Sequence, residues 1–411
     1  MKIAILSYEY PPDTGFGGIG TYSYYQARAL AKLGHDVHVF AGSLEPGIHH
    51  SEHDGVRVTR VKAEGFHQGL LQPLRDKRCW WSNNRAETGY AAYRAFRKAF
   101  DKEQFDFVEY PECGADGMLI STLVDVPTVV KFHSPARLIM GLYEVSRMDR
   151  EICSFFEQIA VNNATVKTSC SQFLADEVVA KMGVPQPVHV VPNGIDLDLF
   201  DQDEGIDVYE RFGLPRDPDS TVVFFANRLE ERKGVHLLAD VCRHVLQKFP
   251  KVHFAFAGDD LFGFMKNKIR PALTEAGVVD RLHHFGKLHL PEVRAILKQR
   301  ADVFLIPSLW ENAPYSCIEA MSAGRAIVSS DCGGMPELVQ DGTTGVLAAN
   351  DDADAFIAGL ERVLGDRGLC ESMGRNARAE VERRLTDVKT AQLAVDTWTG
   401  ELARRSNVEA R

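Results

Sequence analysis

Short runs of β-branched and aromatic residues alternate with amphipathic stretches along nearly the whole chain, and the alternation breaks once and restarts. In the first half the expected strands are KIAILSY, DVHVFAG, VRVTRVK, FDFVEY, VPTVVKF, ATVKTSC and PVHVVP. In the second they are TVVFFAN, KVHFAFAG, RLHHFG, ADVFLIP and RAIVSS. Strands alternating with helices build parallel sheets covered on both faces. Between the two series lies NGIDLDLFDQDEGIDVYERFGLPRDPDS, whose acids, glycines and prolines suit an interdomain crossing. A chain of 411 residues also exceeds what one hydrophobic core organises. The expected fold class is α/β, with two Rossmann-like, doubly wound parallel-sheet domains facing each other across a cleft, residues 1–195 and 196–386. Ligands of such sheets sit at the carboxyl ends of the strands, so the loops after strands are where chemistry belongs.

Residues 15 to 20, GFGGIG, match the G-x-G-x-x-G pattern of dinucleotide-binding turns. The pattern has physical meaning only at a tight turn after a strand, and here seven residues, Tyr8 to Thr14 with two prolines, intervene. It also requires an acid about 20 residues on, at the end of the second strand, to bond a ribose. VHVFAG ends without one, since Asp36 precedes it and Glu45 lies beyond it. The NAD reading is therefore set aside. A glycine-rich loop feeding a helix N-terminus remains, and it suits a phosphate.

Acids outnumber bases 57 to 47, a formal charge of -10, which argues against a general nucleic-acid binder. No apolar stretch is long enough to cross a bilayer, and the N-terminal apolar run ends at Leu6, so the expected location is the cytoplasm with at most peripheral contact at the inner membrane face. The eight cysteines include no C-x-x-C pair, which fits reduced thiols better than zinc or disulfides.

In the second half, TVVFFA leads into NRLEERKG and then a helix expected from about Val235. Arg228 and Lys233 fall on that strand-to-helix loop, where a guanidinium fork and an ammonium can grip a diphosphate. A merely solvated charged loop is the alternative. ADVFLIP leads into SLWENAPYSCIEAMSAG, with Glu311 in the loop and Glu319 in a helix expected to start near Tyr315. Pro314 suits that start, and the N–H groups of Tyr315 and Ser316 face outward from it. Carboxylates accept from vicinal hydroxyls, so Glu311 and Glu319 can hold a hexose and a ribose. Alternatively Glu319 pairs with a base and Glu311 caps the helix.

Several blocks then add up. ENAPYSCIE with the spacing E-x7-E, AMSAGRAIVSSDCGGMPELVQDGTTGVL, the GFGGIG loop before ARALAKLGHDVHVF, VPNGIDLDLF and the R-x4-K-G of NRLEERKG together resemble the family-4 retaining glycosyltransferases of GT-B fold. These blocks run in family order from residue 1 to about 350. The resemblance implies that Arg228 and Lys233 neutralise a nucleotide-sugar diphosphate and its leaving group. It implies that Glu319 holds the ribose, and that Glu311, with the backbone of Asn312, Ala313, Tyr315 and Ser316, binds the transferred sugar. Gly17 and Gly18 would approach the diphosphate and the acceptor, and His133 in KFHSP would lie near the reacting carbon. The implied reaction is front-face transfer with retention, needing no cofactor and no metal, and the D-x-D of NGIDLDLF is read as structural. A C-terminal helix, 387–411, is expected to pack back on the first domain. Asn227 replaces a customary glycine before the arginine, and ENAPYS replaces a phenylalanine- and glycine-containing stretch, which leaves the donor sugar open. The readings from other classes are a nucleotide-sugar epimerase of the same fold and a non-catalytic nucleotide-sugar binder.

On the acceptor side, residues 70–102 carry eight bases against three acids. Trp80 and Trp81 are expected in a loop there, followed by Tyr90, Tyr93, Phe96 and Phe100 at helical spacing. A helix with a buried aromatic stripe and a solvated basic face is one reading. The other makes Trp80 or Trp81 a platform for a sugar, glycolipid or small-molecule acceptor, with the basic face toward anionic lipid.

Overall fold

The computed structural model describes residues 1–15, 17–63 and 78–409, with side chains through 407. Phe16 of the glycine loop and residues 70–77 of the basic stretch lie outside the described residues. Two compact units divide the chain, one made of Met1–Asp196 with the stretch from Asp387, the other of Leu197–Thr386.

The first unit holds β1 (Lys2–Ser7), β2 (Asp36–Gly42), β3 (Ile48–His53), β4 (Val56–Val61), β5 (Phe107–Pro111), β6 (Thr128–Phe132), β7 (Val166–Ser169) and β8 (His189–Val190). They form one sheet in the order β3-β4-β2-β1-β5-β6-β7-β8. All neighbours are parallel except β3, which returns antiparallel along β4. The expectation of wholly parallel pairing missed β3. Its sequence, IHHSEH, is exposed throughout and so carries no apolar signal. The core joins Ile3, Ile5, Val37, Val39, Val129 and Val166 of the sheet to Leu30 of the helix Gly18–Lys32 and Trp398 of the helix Asp387–Glu409. The chain enters that last helix where the Asp387 N–H donates to the Ile195 carbonyl at 2.9 Å. Gly194 of the VPNGID block is tied to the same contact, because a Cβ there would lie 2.0 Å from Thr390 Oγ1.

The second unit holds β9 (Thr221–Ala226), β10 (Val252–Ala257), β11 (Leu282–His284), β12 (Val303–Ile306), β13 (Ala326–Ser330) and β14 (Gly345–Ala348), all parallel, in the order β11-β10-β9-β12-β13-β14. Strand β14 had not been expected, since GVLA is short and flanked by turn residues. The crossing sequence contains two short helices, Leu197–Phe200 and Val208–Phe212, and Tyr209 Oη donates to the Gln299 carbonyl at 3.1 Å. A further correction concerns the segment after β9. The helix begins at Leu238 rather than Val235, because Glu231–Lys233 forms a tight single turn closed by Gly234 at φ +70°.

In each sheet successive strands first run one way from a central strand and then the other. That reversal lies between β1 and β5 in the first unit and between β9 and β12 in the second. Loops leaving the carboxyl ends of two such strands diverge, and the gap between them is where doubly wound sheets bind ligands. No helix among the described residues is long and apolar enough to cross a membrane.

Candidate active site

At the reversal in the second unit, the loop after β9 meets the loop after β12. Gly234 makes the meeting close: a Cβ on it would come within 1.8 Å of the Pro307 carbonyl oxygen. The contact carries Lys233 onto Glu311, and Lys233 Nζ donates to Glu311 Oε1. Ser308 Oγ donates to the same oxygen at 3.1 Å, and Arg232 Nη1 lies 3.8 Å from it. Both partners are buried, 7% exposed each. Burial pushes the Glu311 carboxyl up, but Lys233 and Arg232 outweigh it and hold the group below the usual carboxylate range. Glu311 is thus an ionised, engaged carboxylate and not a helix cap. The cap position of the helix Tyr315–Ser322 belongs to Pro314.

The loop after β13 closes the same cluster from the other side. Gly333, at φ +57°, would put a Cβ 1.9 Å from the Glu311 carbonyl oxygen, which accepts the Gly334 N–H at 3.0 Å. Asn312, Ala313 and Tyr315 are buried beside Glu311, while Ser316 is half-buried on the first turn of the helix. Glu319, about one turn further along, is 4% exposed, and its Oε1 has no hydrogen-bond partner. Burial pushes its carboxyl up to about 7, with Arg294 pulling the other way. A buried acceptor without a donor is costly unless a ligand supplies one. Arg228 stands apart from the buried pair, its side chain 55% exposed and its Nη2 3.4 Å from Glu230 Oε1.

The first unit carries the other expected residues at its own reversal. Gly17 caps the helix that starts at Gly18. Its first turn is not vacant: the Glu9 carboxylate accepts the Gly20 N–H, and its Oε2 lies 3.3 Å from where a Gly17 Cβ would be. The phosphate seat expected at this helix start therefore already faces a carboxylate. His133, in the loop after β6, is 8% exposed, and its ring meets that of Tyr22 edge-on at 4.8 Å. Burial, helped by Lys131, pulls its pKa down to about 3, so the imidazole is neutral at pH 7.

Trp80 and Trp81 require a correction. They begin the helix Trp80–Phe100 instead of lying in a loop, because the Asp149 carboxylate accepts the N–H groups of Trp81 and Ser82 at 2.9 and 2.7 Å. Both rings remain exposed, 53% and 45%, packed edge to face at 4.8 Å. Of the four aromatics that follow, only Phe96 is fully buried. Asp196 of the D-x-D pairs with Lys32 at 2.8 Å and Arg28 at 3.6 Å.

Sequence reasoning missed Arg232 and Ser308, the neighbours that complete the Glu311 cluster, and Glu112 and Glu157, which hold the His133 loop. Arg232 was visible in ERKG as one more base. The others gave no signal, because a serine or glutamate earns its role from a partner distant in sequence.

The chain matches two family models, "Glycosyltransferase Family 4" over residues 16–199 and "Glycosyl transferases group 1" over residues 209–380. Among curated proteins it is similar to the MMP alpha-(1->4)-mannosyltransferase of Mycolicibacterium hassiacum, 29% identical with 92% of this chain and 93% of that protein covered. It is also similar to a D-inositol 3-phosphate glycosyltransferase of Xylanimonas cellulosilytica, 27% identical over 96% and 94%. Among solved structures, sucrose-phosphate synthase from Thermosynechococcus elongatus superposes with a TM-score of 0.74 at 20% identity, covering 99% of both chains. An Anabaena protein solved with UDP and glucose gives 0.69 at 19% identity, covering 97% and 99%. These likenesses establish the GT-B fold.

Proposed function

The chain belongs to the family-4 glycosyltransferases, and from that premise we propose that it moves a hexose-type sugar from a nucleotide-sugar donor to an acceptor hydroxyl with retention of configuration. The second unit takes the donor. The first takes a sugar, glycolipid or small-molecule acceptor.

One observation carries the donor assignment: two buried carboxylates eight residues apart, one engaged through its Oε1 and one with an oxygen left over. Glu319 Oε1 lacks a donor inside the protein, and a ribose hydroxyl supplies one. Glu311 is held by Lys233 and Ser308, so its charge is already spent, which suits a group that orients sugar hydroxyls and not a nucleophile. Lys233, with the exposed Arg228, meets the diphosphate and stabilises the charge that grows on it. In the reaction the acceptor oxygen bonds to the anomeric carbon on the face the donor phosphate leaves, and the acceptor proton passes to a phosphate oxygen of the departing nucleotide. His133, neutral and fixed against Tyr22, serves as a hydrogen-bonding group toward the transferred sugar. Eight unbonded cysteines, six of them buried, fit a reducing compartment and hence the cytoplasm.

The test is a thermal-shift panel of UDP, GDP, ADP and their sugar conjugates on the parent and on Glu319→Ala. A ligand at 100 times its Kd stabilises the native state by about 2.7 kcal/mol. One nucleoside diphosphate is expected to shift the parent and to lose most of that shift in the variant. If none shifts the parent, the donor assignment fails.

A further inference from the structure

The loop that carries His133 is tied down by two buried carboxylates that the donor chemistry does not use. Glu112, in the turn after β5, accepts the His133 N–H with both oxygens, at 2.9 Å each, and the Ser134 N–H at 2.5 Å. Glu157, on the helix Arg147–Asn163, accepts the Ala136 N–H at 2.7 Å and the Arg85 guanidinium at 3.0 Å. Both carboxylates are 0% exposed. Arg85, from the helix Trp80–Phe100, reaches Cys153 Sγ at 3.2 Å and Cys113 Sγ at 3.8 Å as well. Of the four residues His133–Ala136, which lead from β6 into the helix Ala136–Ile139, three have their amides fixed, and the fourth is Pro135, which has no N–H to fix.

Stability alone does not call for this. Among the described residues no Lys or Arg nitrogen lies within salt-bridge distance of Glu112; the hydrogen bonds it accepts come from backbone amides, and Lys131 acts on it only at longer range. Burial and the nearby Glu157 both push its carboxyl above the ordinary range. Placing a second carboxylate beside a buried one costs free energy that an amide side chain avoids. The return on that cost is one loop held in one place.

Resting on the reading above, in which His133 touches the transferred sugar, we infer that Glu112 is a positioning residue: through the amides of His133 and Ser134 it sets where the His133 imidazole stands. Tyr22 holds the ring itself, and its own hydroxyl is fixed by donation to Glu109 Oε1 at 2.5 Å. Glu157 and Arg85 hold the far end of the loop.

Glu112→Gln keeps the shape but turns one acceptor oxygen into a donor facing an N–H. Its expected melting temperature is equal to or above that of the parent, with the nucleotide-induced shift unchanged. A misplacement of about 1 Å costs on the order of 100-fold in rate, so kcat is expected to fall roughly 10- to 100-fold, with little change in donor KM. Added to His133→Ala, the substitution should cause no further loss. The imidazole nuclear magnetic resonance signal of His133, assigned by its disappearance in His133→Ala, should move in Glu112→Gln. Glu112→Asp, which keeps the carboxyl group but withdraws it by one methylene, should move it too and provides the test if the glutamine variant does not fold. An unmoved His133 signal overturns the inference, as does an equal loss of kcat in the parent and His133→Ala backgrounds. The signal is read without turnover, so a parent that transfers no sugar defeats the proposed function while the positioning role is still decided.

Discussion

Glu109 shows what one buried side chain does to the whole stability curve. It lies on β5, 2% exposed, and accepts the Tyr22 hydroxyl. Burial raises its pKa to about 7, against the smaller pulls of Tyr22 and Lys131. A carboxyl whose folded pKa lies above its unfolded value favours folding most at low pH, and that contribution is lost as pH rises from about 4.5 through 7. At about 1.4 kcal/mol per pKa unit, the loss amounts to roughly 3 kcal/mol. Glu109→Gln is therefore expected to match the parent in urea unfolding at pH 4.5 and to exceed it at pH 8 by up to that amount. Equal stabilities at pH 8 would show that Glu109 ionises without penalty. At this scale the legible residues were those whose type and place speak together: Arg228, Lys233, Glu311 and Glu319 are charged residues on or just past loops leaving strands. Glu109, a charge inside the strand FDFVEY, gave no hint that it would be buried opposite a tyrosine.

Elements meet through backbone, and glycine marks where they meet most closely. At Gly234 an alanine would need both φ near +70° and space already filled by the Pro307 carbonyl. Gly333 has the same double constraint against the Glu311 carbonyl. Gly18 differs, since nothing lies within 4 Å of its added Cβ and it stands at a helix start with ordinary φ. Left-handed strain alone costs about 1–3 kcal/mol, and the overlap adds to it. Gly234→Ala and Gly333→Ala should thus each lower the second unit's stability by more than about 2 kcal/mol, while Gly18→Ala should be neutral or stabilising, the helix gaining up to about 1 kcal/mol. Chemical denaturation of the three variants checks the ranking, and a Gly18→Ala as damaging as the others would refute it. The element pattern was largely readable because strands buried on both faces are apolar runs, and all twelve expected runs contain a strand. Strand β3 was not, because edge pairing needs no apolar face, and neither was the helix starting at Trp80, whose first turn is organised by Asp149 from another helix.

Over the whole molecule, the last helix returns to the unit where the chain began. Trp398 is fully buried there, its ring 5.7 Å from that of Phe107 on β5. Lys32 bridges Asp196 and Asp387 at 2.8 and 2.9 Å, joining the exit and re-entry points of the chain. Removing a large buried aromatic costs about 3–5 kcal/mol. Trp398→Ala should therefore lower the denaturation midpoint of the first unit while leaving that of the second in place, as followed by hydrogen exchange of β1 and β9 amides. A uniform loss across both units would instead mean that they unfold as one. The sequence by itself determined two doubly wound sheets, the break between them, and the loops on which chemistry sits, since apolar periodicity and loop composition are local quantities. Only the tertiary structure decided that Lys233 pairs with Glu311, that Glu319 keeps an unpaired oxygen, that the Glu9 carboxylate faces the first turn of the helix after the glycine loop, and that Glu112 holds the backbone of His133. Each of these depends on which distant side chain shares a buried space, and the energies of burial and pairing are set there and not along the chain.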